Sequence, residues 1–297
     1  MIGVVESVSA LRFLLDCGVD EVIGEEPTDW SALSPRPRGQ APAAAPDLSR
    51  PPAAMAPPLP AGAPGPRQNA PAPAAPRPAD PGPLGAAEAG QSARAAASAA
   101  KTLDELKEAL AAFEGCALKK TATNLVFGTG LRSARIMLIG EAPGEHEDRQ
   151  GLPFVGPAGQ LLDRMLGAIG LDRHADDPAK AVYITNMLPW RPPGNRSPTD
   201  SEIAACMPFM VRHIELLAPD FLIFAGGISA KAMLNRTEGI TRLRGRWFDY
   251  GSAGLKKPVA AMPMLHPAYL LRNPDAKREA WKDLLALHVR LQSGQPA

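Results

Sequence analysis

Glu141, Glu145, Glu147 and Asp148 fall within one glycine- and proline-rich stretch, GEAPGEHEDRQGLPFVGPAG (140–159), directly after the apolar run ARIMLIG. Loops of this shape often cradle phosphate. This one has no lysine after its last glycine and no G-x-G-x-x-G spacing, and its carboxylates would repel a polyphosphate, so a nucleotide cofactor is excluded. A carboxylate such as Glu141 can instead position or polarise a water molecule. Phe154, in GLPFVG, stands outside any apolar periodicity; it is either a core plug or a ring face for a planar ligand, where base–aromatic stacking contributes about 1–3 kcal/mol. Asn186 ends the run AVYITN. As a turn residue it would be unremarkable in composition, but its amide also offers one acceptor beside one donor. That pair matches the N3–H and O4 edge of uracil, and cytosine presents the reverse. His266, before Pro267, is either structural or a hydrogen-bond donor to a ligand.

The elements that would position these residues are legible as alternating patterns. Four short apolar runs, at 134–140, 181–186, 220–227 and 258–266, are separated or followed by helical patterns at 157–170, 200–217, 228–235 and 275–292. Buried strands alternating with helices predict an α/β fold: a three-layer α/β/α sandwich around a mostly parallel four-stranded sheet. An earlier helix is predicted from Thr102, an N-cap with Glu105 three residues on and leucines at 103, 106 and 110. Ligands of such sheets sit beyond the carboxyl ends of the strands. Glu141, Asn186 and His266 each follow or end a strand, so they are expected to converge at one rim, with Gly140 and Ala142 lining the turn.

Composition divides the chain. From Pro35 to Pro83, 17 of 49 residues are proline. Such a segment has too few large apolar residues to offset its ordering entropy, so 28–98 is read as a disordered linker and 99–297 as one folded domain. Residues 1–27 place Val5, Leu11, Leu14, Leu15 and Val19 near helical spacing, a short amphipathic helix that would dock a partner or pack back on the domain. Residues 1–29 carry seven acids against one arginine, whereas 231–290 hold 12 Lys or Arg against five acids. A basic C-terminal third suits nucleic acid, and equally a solvated face. Three scattered cysteines, Cys17, Cys116 and Cys206, do not make a disulfide framework. No apolar run is long enough to span a membrane, and no basic region precedes an apolar core at the N-terminus, so a cytoplasmic protein is expected.

Three blocks, GEAPGEHEDRQGLPFVGPAG, YITNMLPWRPPGNRSP and MLHPAYLLRNP, resemble the signature blocks of family 4 uracil-DNA glycosylases, bacterial and archaeal enzymes that typically carry an iron–sulfur cluster. The similarity runs from about Phe113 to Leu291. It implies base excision: uracil is flipped out of single- or double-stranded DNA and its N-glycosidic bond is hydrolysed, leaving an abasic site. The resemblance implies that Phe154 stacks on the flipped base, that Asn186 reads it, and that Gly140, Glu141 and Ala142 line its pocket. Glu141 is the first candidate to hold the water; Glu147 and Asp148 are second choices, one of which would exclude the thymine methyl. His266 would stabilise the departing uracil anion at O2. Tyr269, Leu270 and Leu271, on a loop, would supply a wedge for the vacated space. Arg272, Arg191, Arg196, Arg244 and Arg246 would meet phosphates, each with surface solubility as its alternative.

The chain departs from the family at the cluster. The family's four cysteines fall on Phe113, Cys116, Trp190 and Cys206 of this sequence, so two thiols remain where four are needed. No cluster is expected, and Phe113 with Trp190 would form an apolar plug in its place. Two rivals to a monomeric glycosylase follow: a module that binds uracil-DNA with little turnover, and a role defined by the N-terminal tail, which would recruit the domain to a repair or replication protein. The intact GEAPG and the lack of an insertion before His266 favour turnover.

Overall fold

The computed structural model describes residues 86–293. The expected helix within 1–27 and most of the expected linker lie outside the described residues. The end of that linker is corrected: Ala86–Ala99 forms a helix, α1, that buries Ala93 and Ala97. Prolines stop at Pro83, and the stretch AAEAGQSARAAASA is rich in the strongest helix former, whose small side chain allows close packing. Composition alone merged it with the preceding tract. Arg212 ties its end down by donating from Nε and Nη2 to the Ala100 carbonyl, at 3.0 and 2.8 Å.

Helix α2 (Leu103–Ala112) starts as expected, with the Thr102 side chain accepting from Glu105 N. The strands β1 (Ile136–Gly140), β2 (Val182–Asn186), β3 (Phe221–Ala225) and β5 (Val259–Met264) are parallel. The sheet has five strands, not four, in the order β2-β1-β3-β5-β4; the additional β4 (Phe248–Tyr250) is an antiparallel edge. Three residues give no readable alternation, which is why it escapes notice in the sequence. Every residue of the four parallel strands is buried, because helices cover both faces. Alternate side chains sort into two cores. Met137, Ile139, Tyr183, Leu222 and Phe224 join α1, α2 and α5 (Asp200–Leu217) on one face. Ile136, Leu138, Ile184, Phe221 and Ile223 join α4 (Pro157–Gly167) and α9 (Lys277–Ser293) on the other. Short helices fill the rim: α3 (Glu145–Gln150), α6 (Gly227–Leu234), α7 (Ile240–Leu243) and α8 (Pro267–Arg272). No described helix is long and apolar enough to cross a membrane.

Two features of the sheet position the site. The chain runs outward from β1 to β2 and then returns across to β3, so the strand order reverses between β1 and β3 and opens a crevice at their carboxyl ends. The β1–β2 register sets Gly140 beside Asn186, and Gly226 N donates to the Met264 carbonyl at 2.9 Å, which holds the ends of β3 and β5 together.

On the α5 face, His213 is buried, with Nε2 3.0 Å from the Tyr183 hydroxyl and its ring stacked on Phe127. Burial lowers its pKa from 6.5 to about 3, and burial lowers that of His266 to about 4. Both are therefore neutral in the folded chain and protonate on unfolding in mild acid. Their contribution is fully present above pH 6.5 and is lost as pH falls through 4 toward 3. Denaturant unfolding between pH 7 and 4 should show stability dropping with a slope of up to about 1.4 kcal/mol per pH unit per histidine. A flat profile over that window would contradict the buried neutral state.

Candidate active site

The crevice is a cleft of about 660 Å³. Glu141, Ala142, Glu147, Phe154, Asn186 and His266 all line it, so the expected convergence at the carboxyl rim is found. Gly140 lies beneath. A Cβ there would come within 2.6 Å of the Phe154 ring and overlap Asn186 Oδ1, so only glycine lets these two side chains approach from either side. Gly226 answers it across the cleft: its φ of +108° suits glycine, and a Cβ would press on His266 at 3.3 Å.

Asn186 is 4% exposed as a residue, no described residue is bonded to its amide, and the side chain opens onto the cleft. An amide low in a cleft with its bonding capacity free suits a ligand edge that presents a donor beside an acceptor. Phe154 lies against His266, ring centroids 5.5 Å apart and planes inclined by 29°. Its backbone is left-handed, with φ 53°, a conformation that costs a bulky residue on the order of 1–3 kcal/mol.

Glu147 is what holds Phe154 there. Its Oε1 accepts from Val155 N and Gly156 N at 2.9 and 2.8 Å, and its Oε2 accepts from Gly144 N at 3.1 Å. One carboxylate thus ties the α3 cap to the two amides that follow Phe154. Gly159 lacks the Cβ that would overlap the Phe154 carbonyl. Asp148 does comparable work outward: its Oδ1 accepts from Thr123 N and Asn124 N at 2.8 and 3.1 Å, and it does not line the cleft. Glu145 pairs with Arg149 at 2.6 Å. Asp148 is therefore corrected as a water-holding candidate, since its oxygen already holds backbone. Glu141 is the acid of this loop left facing the cleft without a described partner, and burial raises its pKa above the usual carboxylate value.

His266 caps α8: Nδ1 accepts from Ala268 N at 3.1 Å. An accepting Nδ1 carries no proton, so the neutral ring carries its hydrogen on Nε2. Desolvation lowers its pKa to about 4, helped by Arg272 and opposed by Glu147. The imidazole is thereby fixed as a neutral donor in the cleft wall.

The rim residues divide. Arg196, Tyr269 and Arg272 line the cleft and are exposed, and Leu271 is 43% exposed on the same α8. Tyr269, Leu270 and Leu271 are on this helix, not a loop, because Pro267 at its first turn starts helical backbone at once. Leu270 is 0% exposed in the core shared with α4 and α9 and cannot act as a wedge. Arg244 is likewise corrected: it bonds Asp283 and Glu279 of α9 at 2.6 and 2.8 Å and braces that helix. Arg191 bonds Asn195 Oδ1 at 2.7 Å beside the cleft, and Arg246 lies over Phe248, 5.7 Å from its ring, without lining it. Arg196 is held bidentately by Glu202 at 2.9 and 2.6 Å. Asn195, Ser197 and Thr241 also line the cleft and were missed. The block RPPGNRSP held a signal for the first two, polar residues next to a glycine turn that aims them inward.

The four positions that correspond to the family's cluster ligands do meet. Phe113, Cys116, Trp190 and Cys206 are all at most 5% exposed in one core, with Phe113 packed on Phe209 at 5.1 Å. Cys116 and Cys206 hydrogen-bond to each other, and that contact together with burial pushes the Cys206 thiol well above its ordinary range. Two thiols and two aromatic rings do not fit a centre that needs four thiolates. Among the described residues no group of three His, Cys, Asp or Glu side chains is arranged to hold a metal ion.

Replacing Glu147 by Gln turns an amide hydrogen toward backbone donors on one side of the tie. Glu147→Gln should lower stability by about 1–3 kcal/mol by thermal or denaturant unfolding. An unchanged melting temperature would mean that Phe154 keeps its backbone without the carboxylate.

The family model described as the uracil DNA glycosylase superfamily matches residues 127–285. A type-4 uracil-DNA glycosylase of Archaeoglobus fulgidus is 38% identical over 200 residues, 66% of this chain and 96% of that protein. One from Sulfurisphaera tokodaii is 38% identical over 182 residues, 60% of this chain and 79% of that protein. One from Thermotoga maritima is 41% identical over 159 residues, covering 53% and 77%.

Proposed function

The chain belongs to the uracil-DNA glycosylase superfamily, as a type-4 member, and from that membership we propose that it removes uracil from DNA by hydrolysing the N-glycosidic bond. The observation that carries the reading onto this chain's own residues is the amide of Asn186, set low in the cleft beside Phe154 with no bond from a described residue. Its acceptor takes uracil N3–H and its donor takes O4; an amide held in that sense meets cytosine with two mismatched edges. Phe154 provides the stacking face. A base reaches this depth only when flipped from the helix, at a cost of a few kcal/mol that stacking and strand contacts offset. On this reading the protein acts on DNA in the cytoplasm as a monomer.

Glu141 orients a water molecule toward C1′ and takes its proton as the water oxygen bonds to that carbon. The C1′–N1 bond breaks, and its electron pair leaves with uracil as an anion. The negative charge spreads onto O2, where His266 Nε2–H donates. A neutral donor suits this role: it stabilises charge that grows in the transition state without drawing the anionic DNA into a misplaced ion pair. Glu147 acts as a positioning residue. Arg272 and Arg196 meet phosphates flanking the flipped nucleotide, and Leu271 with Tyr269 enters the vacated space.

Uracil-containing single- and double-stranded oligonucleotides, incubated with the protein and treated with alkali, should be cut at uracil. Asn186→Ala should abolish cutting, and His266→Ala should lower kcat by about 10²–10³-fold. The pH profile of kcat should fall in acid as Glu141 protonates, and Glu141→Gln should remove that limb along with most of the rate. A stable shifted complex without cleavage would instead support a binding module.

We also propose that the protein works without an iron–sulfur cluster, its place taken by the packing of Phe113, Trp190 and Phe209. Iron and sulfide analysis of protein purified with and without oxygen should find no stoichiometric iron in either. About four irons per chain would overturn this.

A further inference from the structure

A second and larger concavity lies away from the cleft, on the helical face built by α1, α5 and α6, with a volume of about 1610 Å³. Its floor is apolar. Ile203, Met207 and Val211 succeed one another at four-residue intervals along α5 and form one continuous stripe. Ala95 of α1 and Ala232 of α6 form low walls, which leaves a trough rather than a pit. The rim is mainly basic: Arg94, Lys231 and Arg236 stand along it, against the acids Asp200 and Glu215. Arg94 and Lys231 have no ion-pair partner among the described residues, and Arg236 only approaches Glu238 at 3.8 Å. Of these acids, Glu215 is already engaged by Arg212, Ser252 and Gly254 N at 3.1, 2.9 and 2.9 Å.

An apolar floor between unpaired cations fits an amphipathic helix with acids on its flanks. The chain contains one such segment. Residues 3–20, GVVESVSALRFLLDCGVD, have Leu11, Leu14, Leu15 and Val19 at helical spacing, with Glu6, Asp16 and Asp20 against a single Arg12. Residues 21–85 separate this segment from α1, which is itself one wall of the trough. Being on the same chain, the segment meets the trough at an effective concentration set by those 65 residues, above that of a separate molecule in dilute solution.

We propose that the trough on the α1–α5–α6 face is the docking site of the chain's own N-terminal segment, residues 3–20. Docking closes the apolar stripe and pairs Arg94 and Lys231 with the segment's acids. The inference does not depend on the proposed reaction.

Cys17 lies within the segment, and Cys116 and Cys206 are buried, so the full-length protein carries its own reporter thiol. In full-length Ala232→Cys, oxygen with a copper–phenanthroline catalyst should join Cys17 to position 232, the two thiol hydrogens and two electrons passing to oxygen. The product is an intramolecular disulfide, identified by peptide mass. The yield should exceed by roughly tenfold that of Val289→Cys, an exposed position on α9, and Leu11→Asp with Leu15→Asp should remove the excess. Equal yields at both positions, or no product, would overturn the proposal and leave the trough to another protein. Disulfides found mainly between chains would overturn it in favour of a second copy as the occupant.

Discussion

The cleft depends on one carboxylate and the three backbone amides it gathers. Glu147 is buried between α3 and the turn after Phe154, and its two oxygens receive hydrogen bonds from Gly144, Val155 and Gly156. Bonds to an ionised acceptor are among the stronger ones a fold makes, and here they oppose a specific cost, the left-handed backbone of Phe154. Phe154 in turn bounds the space that Gly140 leaves open for Asn186, and its ring flanks His266. The ring of Phe154, the amide of Asn186 and the imidazole of His266 therefore rest on a bond network centred on one carboxylate.

That network explains why a ligand-binding loop after a β-strand is rich in acids. Glu145 is engaged by arginine, Glu147 and Asp148 by backbone, and Glu141 faces the cleft. The negative residues work mainly as internal acceptors that fix loop shape. The arginines sort in a matching way. Arg272 and Arg196 stand at the cleft, whereas Arg244 faces inward to α9.

Much of this was legible in the sequence because strands buried on both faces read as continuous apolar runs, and because a parallel sheet sends their ends to one edge. Glu141, Phe154, Asn186 and His266 could be grouped on that ground alone. What escaped did so for local reasons. Leu270 and Leu271 are adjacent and chemically identical, and only the helix started by Pro267 turns one into the core and the other outward. Arg244 resembles any basic loop residue until α9, 35 residues later, brings Glu279 beside it. Helix α1 was hidden by composition, since alanine, 8 of its 14 residues, is also common in the tract before it, at 14 of the 49 residues from Pro35 to Pro83. The role of Glu147 was hidden because a side chain that accepts from distant amides leaves no spacing signal.

The capping of α8 by His266 joins two things usually discussed apart. Its Nδ1 is held by the first free amide of that helix, and Tyr269, Leu271 and Arg272 project from the helix itself. Ring and helix therefore move as a single lever. On the proposed reading, a strand seated against Tyr269 and Arg272 would also set the angle at which the Nε2 hydrogen enters the cleft, so that the grip on the polymer and the aim of the donor would share one mechanical part.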